Sequence, residues 1–374
     1  MQTGTKKYNK YCLIRDLAAL FILGILLGHL IRIPIIVWRI LFVIEIVVAI
    51  VANVNYLNKI EGYILALASY CAISFMITFS PDQITIIGAI LFTVPTVILF
   101  KFLDSKEVIT QKWINVWCVI FVIAAVIFYR YKESVFFEEF FEQAEYGFTN
   151  NASTVFTGLL VLLLLSDKKV IVWGCFVVCW YFLLLSSKRG NIAEALIPSI
   201  VLFFQMQKDG KRKIWNFLFV TALFAAAIYF GMQFFEKNTY LTNKIDVSGA
   251  NGRDVIWANL INEWSMSSSP FKVIFGYGIK GTLALGGIRA HNDFLEILVD
   301  FGLIGIVLQM GVFVSLFKLL KFKISYRLIM IAAISVYFLK SMISMGFTDP
   351  LNVFTFMTMG IVISRYEKQF KLKN

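Results

Sequence analysis

The chain has 374 residues, 59% of them hydrophobic and 16% charged, with a mean hydropathy of +0.78 and a formal net charge of +12. A soluble globular protein of this size could not carry that composition without large exposed apolar patches. The basic residues are spread between apolar runs rather than gathered on one soluble face, which argues against nucleic acid as a partner.

Apolar runs of about 20 residues, enough to cross a ~30 Å hydrocarbon layer, recur along the whole chain. Barrel strands would be about half as long and would alternate in polarity, so the sequence predicts an all-α polytopic membrane protein. The first run follows Lys6, Lys7, Lys10 and Arg15. It lacks a small-residue cleavage site and a second run begins at Ile35, so it reads as a retained helix rather than a signal peptide. About twelve spans are predicted: 13–31, 35–54, 62–80, 84–103, 113–130, 152–166, 170–186, 191–207, 214–235, 292–317, 324–346 and 350–365. With both termini inside, segments 55–61, 101–112, 167–169, 208–213, 318–327 and the tail from Arg365 become cytoplasmic. Nearly all are rich in Lys or Arg, as the positive-inside rule requires.

The opposite side is poor in base apart from two segments. One is Ser186-Ser187-Lys188-Arg189-Gly190-Asn191, and the other is the polar stretch 236–290. Cations placed against the topological bias need another reason. Segment 131–150 carries Phe136, Phe137, Phe140 and Phe141 on one helical face and Glu138, Glu139, Glu142 and Glu145 on another, the pattern of an interfacial helix. Within 236–290, Asn251 is placed to cap a helix striped by Ile256, Trp257, Leu260, Ile261 and Trp264. Phe275-Gly276-Tyr277-Gly278 then reads as a loop turning back toward His291. The whole of 1–374 is read as one integral membrane domain with the loop 236–290 inserted between spans.

The cysteines, 12, 71, 118, 175 and 179, are dispersed in apolar runs and form neither a disulfide framework nor a metal spacing. Cys175 and Cys179 lie one helical turn apart and read as packing thiols. His29 has no companion motif and reads as structural. His291 lies where the polar stretch meets an apolar helix, and Asn292 follows it. Asp293, Glu296 and Asp300 line one face of that helix. Asp293 in the first turn complements the helix dipole, whereas Glu296 and Asp300 lie deeper and call for partners or a polar cavity. Arg189 beside Gly190 suits a phosphate held bidentately. Arg253 could pair with Asp254 or join Arg189 and Arg289 in an electropositive pocket. No H-E-x-x-H, G-x-S-x-G, Walker A or Asp-x-Asp pattern occurs, so metal catalysis and nucleotide-driven transport are disfavoured and no cofactor is expected.

The ordered set Arg189-Gly190, Gly252-Arg253 with Ile256-Trp257, Phe275-Gly276-Tyr277-Gly278, and His291-Asn292 leading into Gly302-Leu303-Ile304-Gly305 resembles the O-antigen ligase and Wzy-type polysaccharide polymerase superfamily. The resemblance covers roughly residues 150–350. It implies a bundle of about twelve helices in the bacterial inner membrane, with a large periplasmic loop of short amphipathic helices carrying the active site. It further implies inverting, metal-independent transfer of a glycan from an undecaprenyl pyrophosphate carrier to an acceptor hydroxyl. By the same resemblance Arg189 and Arg253 would hold the pyrophosphate and His291 would be the base; Arg289, two residues before it, is expected beside the two arginines on its charge alone. Asp349 matches an acidic position of the family, while Asn292, Asp293 and Glu296 are expected to support the histidine from their places beside it on the chain. Implied partners are a lipid-linked oligosaccharide donor and acceptor, membrane lipids and a chain-length regulator. Polymerisation of lipid-linked repeat units is the preferred reading, transfer to lipid A-core the nearest alternative, and a lipid-linked glycan flippase or exporter the alternative from another class. A transporter would favour internal repeats, and none is evident. The first outer connection, 29–34, contains no acid of the kind that polyprenyl monophosphate glycosyltransferases use.

Overall fold

The computed structural model describes all residues except 1–9, 53, 55–56, 80–82, 140–150, 187, 207–252, 288, 322–323, 348 and 372–374. The described residues form helices and connections without strands. In chain order the helices are α1 (Lys10–Leu27), α2 (Ile35–Ala52), α3 (Lys59–Ile77), α4 (Ile84–Thr93), α5 (Thr96–Ser105), α6 (Gln111–Glu139), α7 (Thr154–Leu163), α8 (Lys169–Leu185) and α9 (Arg189–Met206). After a gap come α10 (Arg253–Ser265), α11 (Pro270–Phe275), α12 (Gly281–Gly286), α13 (Asp293–Lys318), α14 (Ile324–Ile343) and α15 (Val353–Lys371).

Among the described residues seven helices are long and apolar enough to cross a membrane, and three shorter apolar helices accompany them. The expected span 214–235 lies outside the described residues, and each of the others coincides with a helix or a broken helix pair. The interfacial segment predicted from 131 begins as an unbroken continuation of α6 to Glu139, and 140–150 lie outside the described residues. The bundle has its centre at α5 and α7, whose residues are buried on every face, and α15 packs along α5. At its rim α2 turns Ile40, Ile44, Val47 and Val48 outward, and α8 turns out Val177 and Tyr181, as lipid-facing helices do. Pro95 interrupts the α4–α5 span by removing an amide donor. The Thr93 and Thr96 hydroxyls bond the Ala89 and Phe92 carbonyls at 2.6 and 2.7 Å, keeping the turn satisfied away from water.

Three of the base-rich segments predicted to share one side do meet at one end of the bundle. Buried Lys101 on α5 pairs with Glu61 on α3 and, at 2.9 Å, with Glu367 on α15. Asn58 caps α3 in a reciprocal box with Glu61 and donates to Glu367 at 2.7 Å, while Arg365 pairs with Asp104 at 3.2 Å. At the opposite end lie the starts of α9 and α13 and the end of α14.

Helix α13 is broken at Gly302, which takes φ 65° and ψ −163°. The Val299 and Asp300 carbonyls just before the break accept the Tyr277 and Gly278 amides, both at 2.9 Å. The Tyr70 hydroxyl lies between the Phe275 and Phe301 carbonyls, at 3.0 and 3.1 Å, and can donate to either. A Cβ on Gly302 would sit 2.3 Å from the Ile274 carbonyl oxygen, and one on Gly276 would sit 2.3 Å from that of Asp300. Glycine is required at both because two backbones cross with no room for a side chain.

Gly302→Ala is therefore expected to destabilise the protein by more than the ~1–3 kcal/mol of forced positive-φ backbone alone. The check is thermal unfolding in detergent, where an unchanged midpoint would show that the crossing is not tight.

Candidate functional site

The described part of the long loop packs as a small core of its own. Leu260 of α10, Ala290 and Val299 are fully buried together, with Ile256, Trp257, Trp264, Tyr277, Leu285 and Leu295 around them. The predicted stripe on α10 is realised except at Ile261, which is 46% exposed, and Asn251 lies outside the described residues. Trp257 donates from Nε1 to the Ala290 carbonyl at 2.8 Å, fixing the residue before His291. His291 has φ 51°, a left-handed conformation that histidine tolerates better than most side chains. Asn292 is the N-cap of α13, its Oδ1 accepting the Phe294 and Leu295 amides at 3.0 and 3.3 Å. The exposed imidazole is thus presented by a turn locked on both sides.

Several cations converge on it. Arg253, the first residue of α10, donates from Nη1 to the Ile343 carbonyl at 2.6 Å, at the negative end of the α14 dipole. Lys188 precedes α9, whose Gly190 lies against Ile343, so that the start of α9 meets the end of α14. The basicity of His291 is lowered by partial burial first, then by the charges of Arg253, Lys188 and Arg289. Lys188 is pushed down to about 8, again by burial first and then by Lys340; Asp349 and Glu194 oppose this, and Arg253 adds to it. Arg189 opens α9, but its side chain lies outside the described residues, so its predicted phosphate role stays an expectation about position. Arg289 reaches the Met345 sulfur at 3.6 Å, and its charge also acts on Glu296 and Asp300. It stands between the basic group and the acidic stripe.

The three carboxylates on α13 are buried and are used as scaffold. Asp293 Oδ2 accepts the Ser341 hydroxyl at 2.8 Å and the Gly346 and Phe347 amides at 2.7 and 2.6 Å, tying the start of α13 to the α14–α15 connection. Asp300 accepts the Lys280 and Thr282 amides at 3.2 and 3.0 Å, anchoring α12. The carboxyl of Glu296 is acted on by the Ala290 and His291 amides and the Thr282 hydroxyl. These acids line, with Arg289 and Lys280, a cavity of about 10 Å³, room for roughly one water. Among the described residues no group of three or more His, Cys, Asp or Glu side chains is arranged to hold a metal ion.

Asp349 accepts the Leu351 amide at 2.9 Å and pairs with Lys340 at 3.1 Å, the latter only 1% exposed. Glu194 on α9 is fully buried, accepts no hydrogen bond among the described residues, and interacts electrostatically with Lys340 and Lys188. Sequence reasoning did not assign Lys188, Glu194 or Lys340 to the site. Lys340 and Glu194 did carry a signal, since an ionisable side chain inside an apolar span is a functional candidate. His29 stacks on Tyr131 at 3.8 Å, far from this group in role, and the five cysteines are free.

Fold and site together define a polytopic helical membrane protein that presents a histidine among cations at one end of its bundle, under a docked helical loop. Residues 174–310 match the model of the O-antigen ligase family, Wzy_C, a stretch containing Arg189, Arg253, Arg289 and His291. This match supports placing the chain in the O-antigen ligase and Wzy-type polymerase superfamily. No curated protein matches the chain at a significant level.

Asp293→Ala would strand two buried amides and a hydroxyl, at about 1–3 kcal/mol for each group left unsatisfied. Asp293→Asn keeps an acceptor oxygen. The expected order of thermal stability in detergent is wild type, then Asn, then Ala; equal midpoints for Ala and wild type would show that the tether is dispensable.

Proposed function

We propose that the protein is a membrane glycosyltransferase that takes a glycan from an undecaprenyl-pyrophosphate-linked donor and adds it, with inversion and without a metal, to an acceptor hydroxyl. The acceptor is the next lipid-linked repeat unit, so that the product is a lengthened O-antigen or capsular chain on the periplasmic face of the inner membrane. The observation that carries this reading is the crowding of Arg253, Lys188 and Arg289 around His291, close enough that each cation lowers the basicity of the histidine. Like charges held together in a partly buried site are costly unless an anion joins them, and a pyrophosphate supplies that anion.

The chemistry follows from the charges. The acceptor oxygen attacks the anomeric carbon from the face opposite the pyrophosphate, the C–O bond to the carrier breaks, and the electron pair leaves on the pyrophosphate oxygen. Arg253 and Lys188, with Arg189 at the start of α9 and Arg289 beside them, neutralise that leaving group and stabilise the charge developing on it. His291, its basicity lowered by partial burial and then by the same cations, takes the hydroxyl proton. Asn292, Asp293 and Glu296 hold the turn that presents it, and Asp349 with Lys340 and Glu194 balances charge beneath Lys188.

A second reading, transfer to lipid A-core, is favoured by the name of the matching family. Purified protein given only lipid-linked oligosaccharide separates the two: lengthened products identify a polymerase, whereas turnover only with lipid A-core identifies a ligase. His291→Ala and Arg253→Ala are expected to reduce transfer at least ~100-fold while insertion is retained, in line with the loss of a general base or a charge-stabilising donor. Normal product from either variant would remove the mechanism.

The pH profile is signed. Protonation of His291 below its lowered value removes the base, so transfer falls on the acid side below the ordinary histidine range. Lys188 loses its charge above about 8, so donor binding weakens on the alkaline side. Lys188→Arg should extend the alkaline limb in KM for the donor, and an unchanged limb would discharge Lys188 from phosphate binding.

A further inference from the structure

Helix α11, Pro270–Phe275, is short and turns its apolar side chains outward. Phe271 is 65% exposed, Ile274 41% and Phe275 39%, and Met266 just before the helix is 76% exposed. The Phe271 and Phe275 rings stack at 4.4 Å, so the exposed surface is continuous. In a loop bathed by water this would be an uncovered apolar patch.

Two neighbours mark the level at which it sits. The Phe275 carbonyl oxygen lies 3.0 Å from the Tyr70 hydroxyl of α3. From Tyr70 to Thr78 helix α3 rises a further ~12 Å toward the end that carries the site. Over that rise Ile73, Met76 and Ile77 are 50, 68 and 77% exposed, and Phe79 beyond them is 61% exposed. An apolar medium must therefore extend outward past Phe275. The second marker is α13, where the Tyr277 and Gly278 amides pair with the Val299 and Asp300 carbonyls, two turns inside the helix. The chain then climbs, with Gly278 against Thr78 and the Ile279 carbonyl accepting Gln83 Nε2 at 2.8 Å.

These backbone groups are paired inside the protein, the condition under which non-helical chain is tolerated at membrane depth. Lys272, in the middle of α11, is itself exposed, and its ammonium lies 4.8 Å over the Tyr277 ring.

We propose that 270–278 is a re-entrant wedge: α11 enters the leaflet on the side of the site with Phe271, Ile274 and Phe275 against lipid acyl chains, and the glycine loop returns along α13. The segment read from sequence as part of a polar loop is then the loop's membrane anchor. The proposal rests on the membrane-spanning character of α3 and α13 and is independent of the glycan-transfer reading.

The test uses the full chain, with Cys12 replaced by Ser because the other four cysteines are buried. Phe271→Cys, Ile274→Cys and, as a reference on the exposed face of α10, Asn262→Cys are nitroxide-labelled in phosphatidylcholine–phosphatidylglycerol vesicles. Positions 271 and 274 are expected to favour collisions with oxygen over a water-soluble nickel chelate by at least threefold relative to 262. Equal chelate access at all three overturns the proposal. Hydroxyl-radical labelling of the unsubstituted protein in the same vesicles covers the case of a variant that does not fold. Phe271 and Phe275 should be oxidised at least fivefold more slowly than in the urea-denatured chain, and oxidation at the denatured rate overturns the wedge equally.

Discussion

The arrangement of the site depends on two backbone hydrogen bonds, from Tyr277 and Gly278 to the carbonyls of Val299 and Asp300. A helix interrupted inside a membrane leaves carbonyls that water cannot reach, and each must find a donor in the protein. Here the donors come from the chain just upstream, so satisfying α13 also docks the loop. Once 276–282 is fixed, Asp300 anchors α12 and the Leu260–Ala290–Val299 core can close. Arg253 and His291 then face each other from opposite ends of one folded segment. Glycine at 276 and 302 is what lets the backbones approach closely enough for this.

The two ends of the bundle treat charge differently. At one end each buried lysine or aspartate has an opposite partner at short range: Lys101 lies between Glu61 and Glu367, and Asp104 meets Arg365. That end is electrically closed. At the other end the acids are withdrawn into scaffold, with Asp293 and Asp300 consumed by amides and Asp349 by Lys340, and the cations are left around the histidine. Burying carboxylates as hydrogen-bond acceptors while cations face outward is what gives the pocket its sign.

Much of this was legible in the sequence because hydrophobic length and loop charge are strong signals. Ten of the twelve predicted spans overlap single helices, another the pair broken by Pro95, and segments 55–61, 101–112 and the tail from Arg365 meet as the charge rule required. His291 and Arg253 stood out as titratable groups at a polar boundary. What was not legible depends on tertiary distance. Asp293 looked like a residue that complements a helix dipole, and only the fold shows its three donors, some fifty positions away along the chain. Lys340 and Glu194 were visible only as ionisable residues within apolar runs, and their partners appear when α9 and α14 pack. Gly302 read as half of a Gly-x-x-Gly motif, whereas its left-handed backbone comes from a crossing with Ile274 that no local pattern encodes.

The closed charge cluster also carries a consequence for biogenesis. Asp104 and the Arg365 that neutralises it are 261 positions apart, and Asn58 and Glu367 are separated by 309. Synthesis delivers α5 long before α15, so a helix buried on every face in the finished bundle must first be held with its acidic end unmatched and its flank uncovered. An unpaired charge near lipid is expensive, which makes the central layer of the bundle the last to become stable. The pairs that α15 contributes thus act as a completion seal: Lys101 can meet Glu61 early, but Glu367 and Arg365 reach Lys101, Asn58 and Asp104 only once α15 has arrived, and they then lock early and late parts of the chain together.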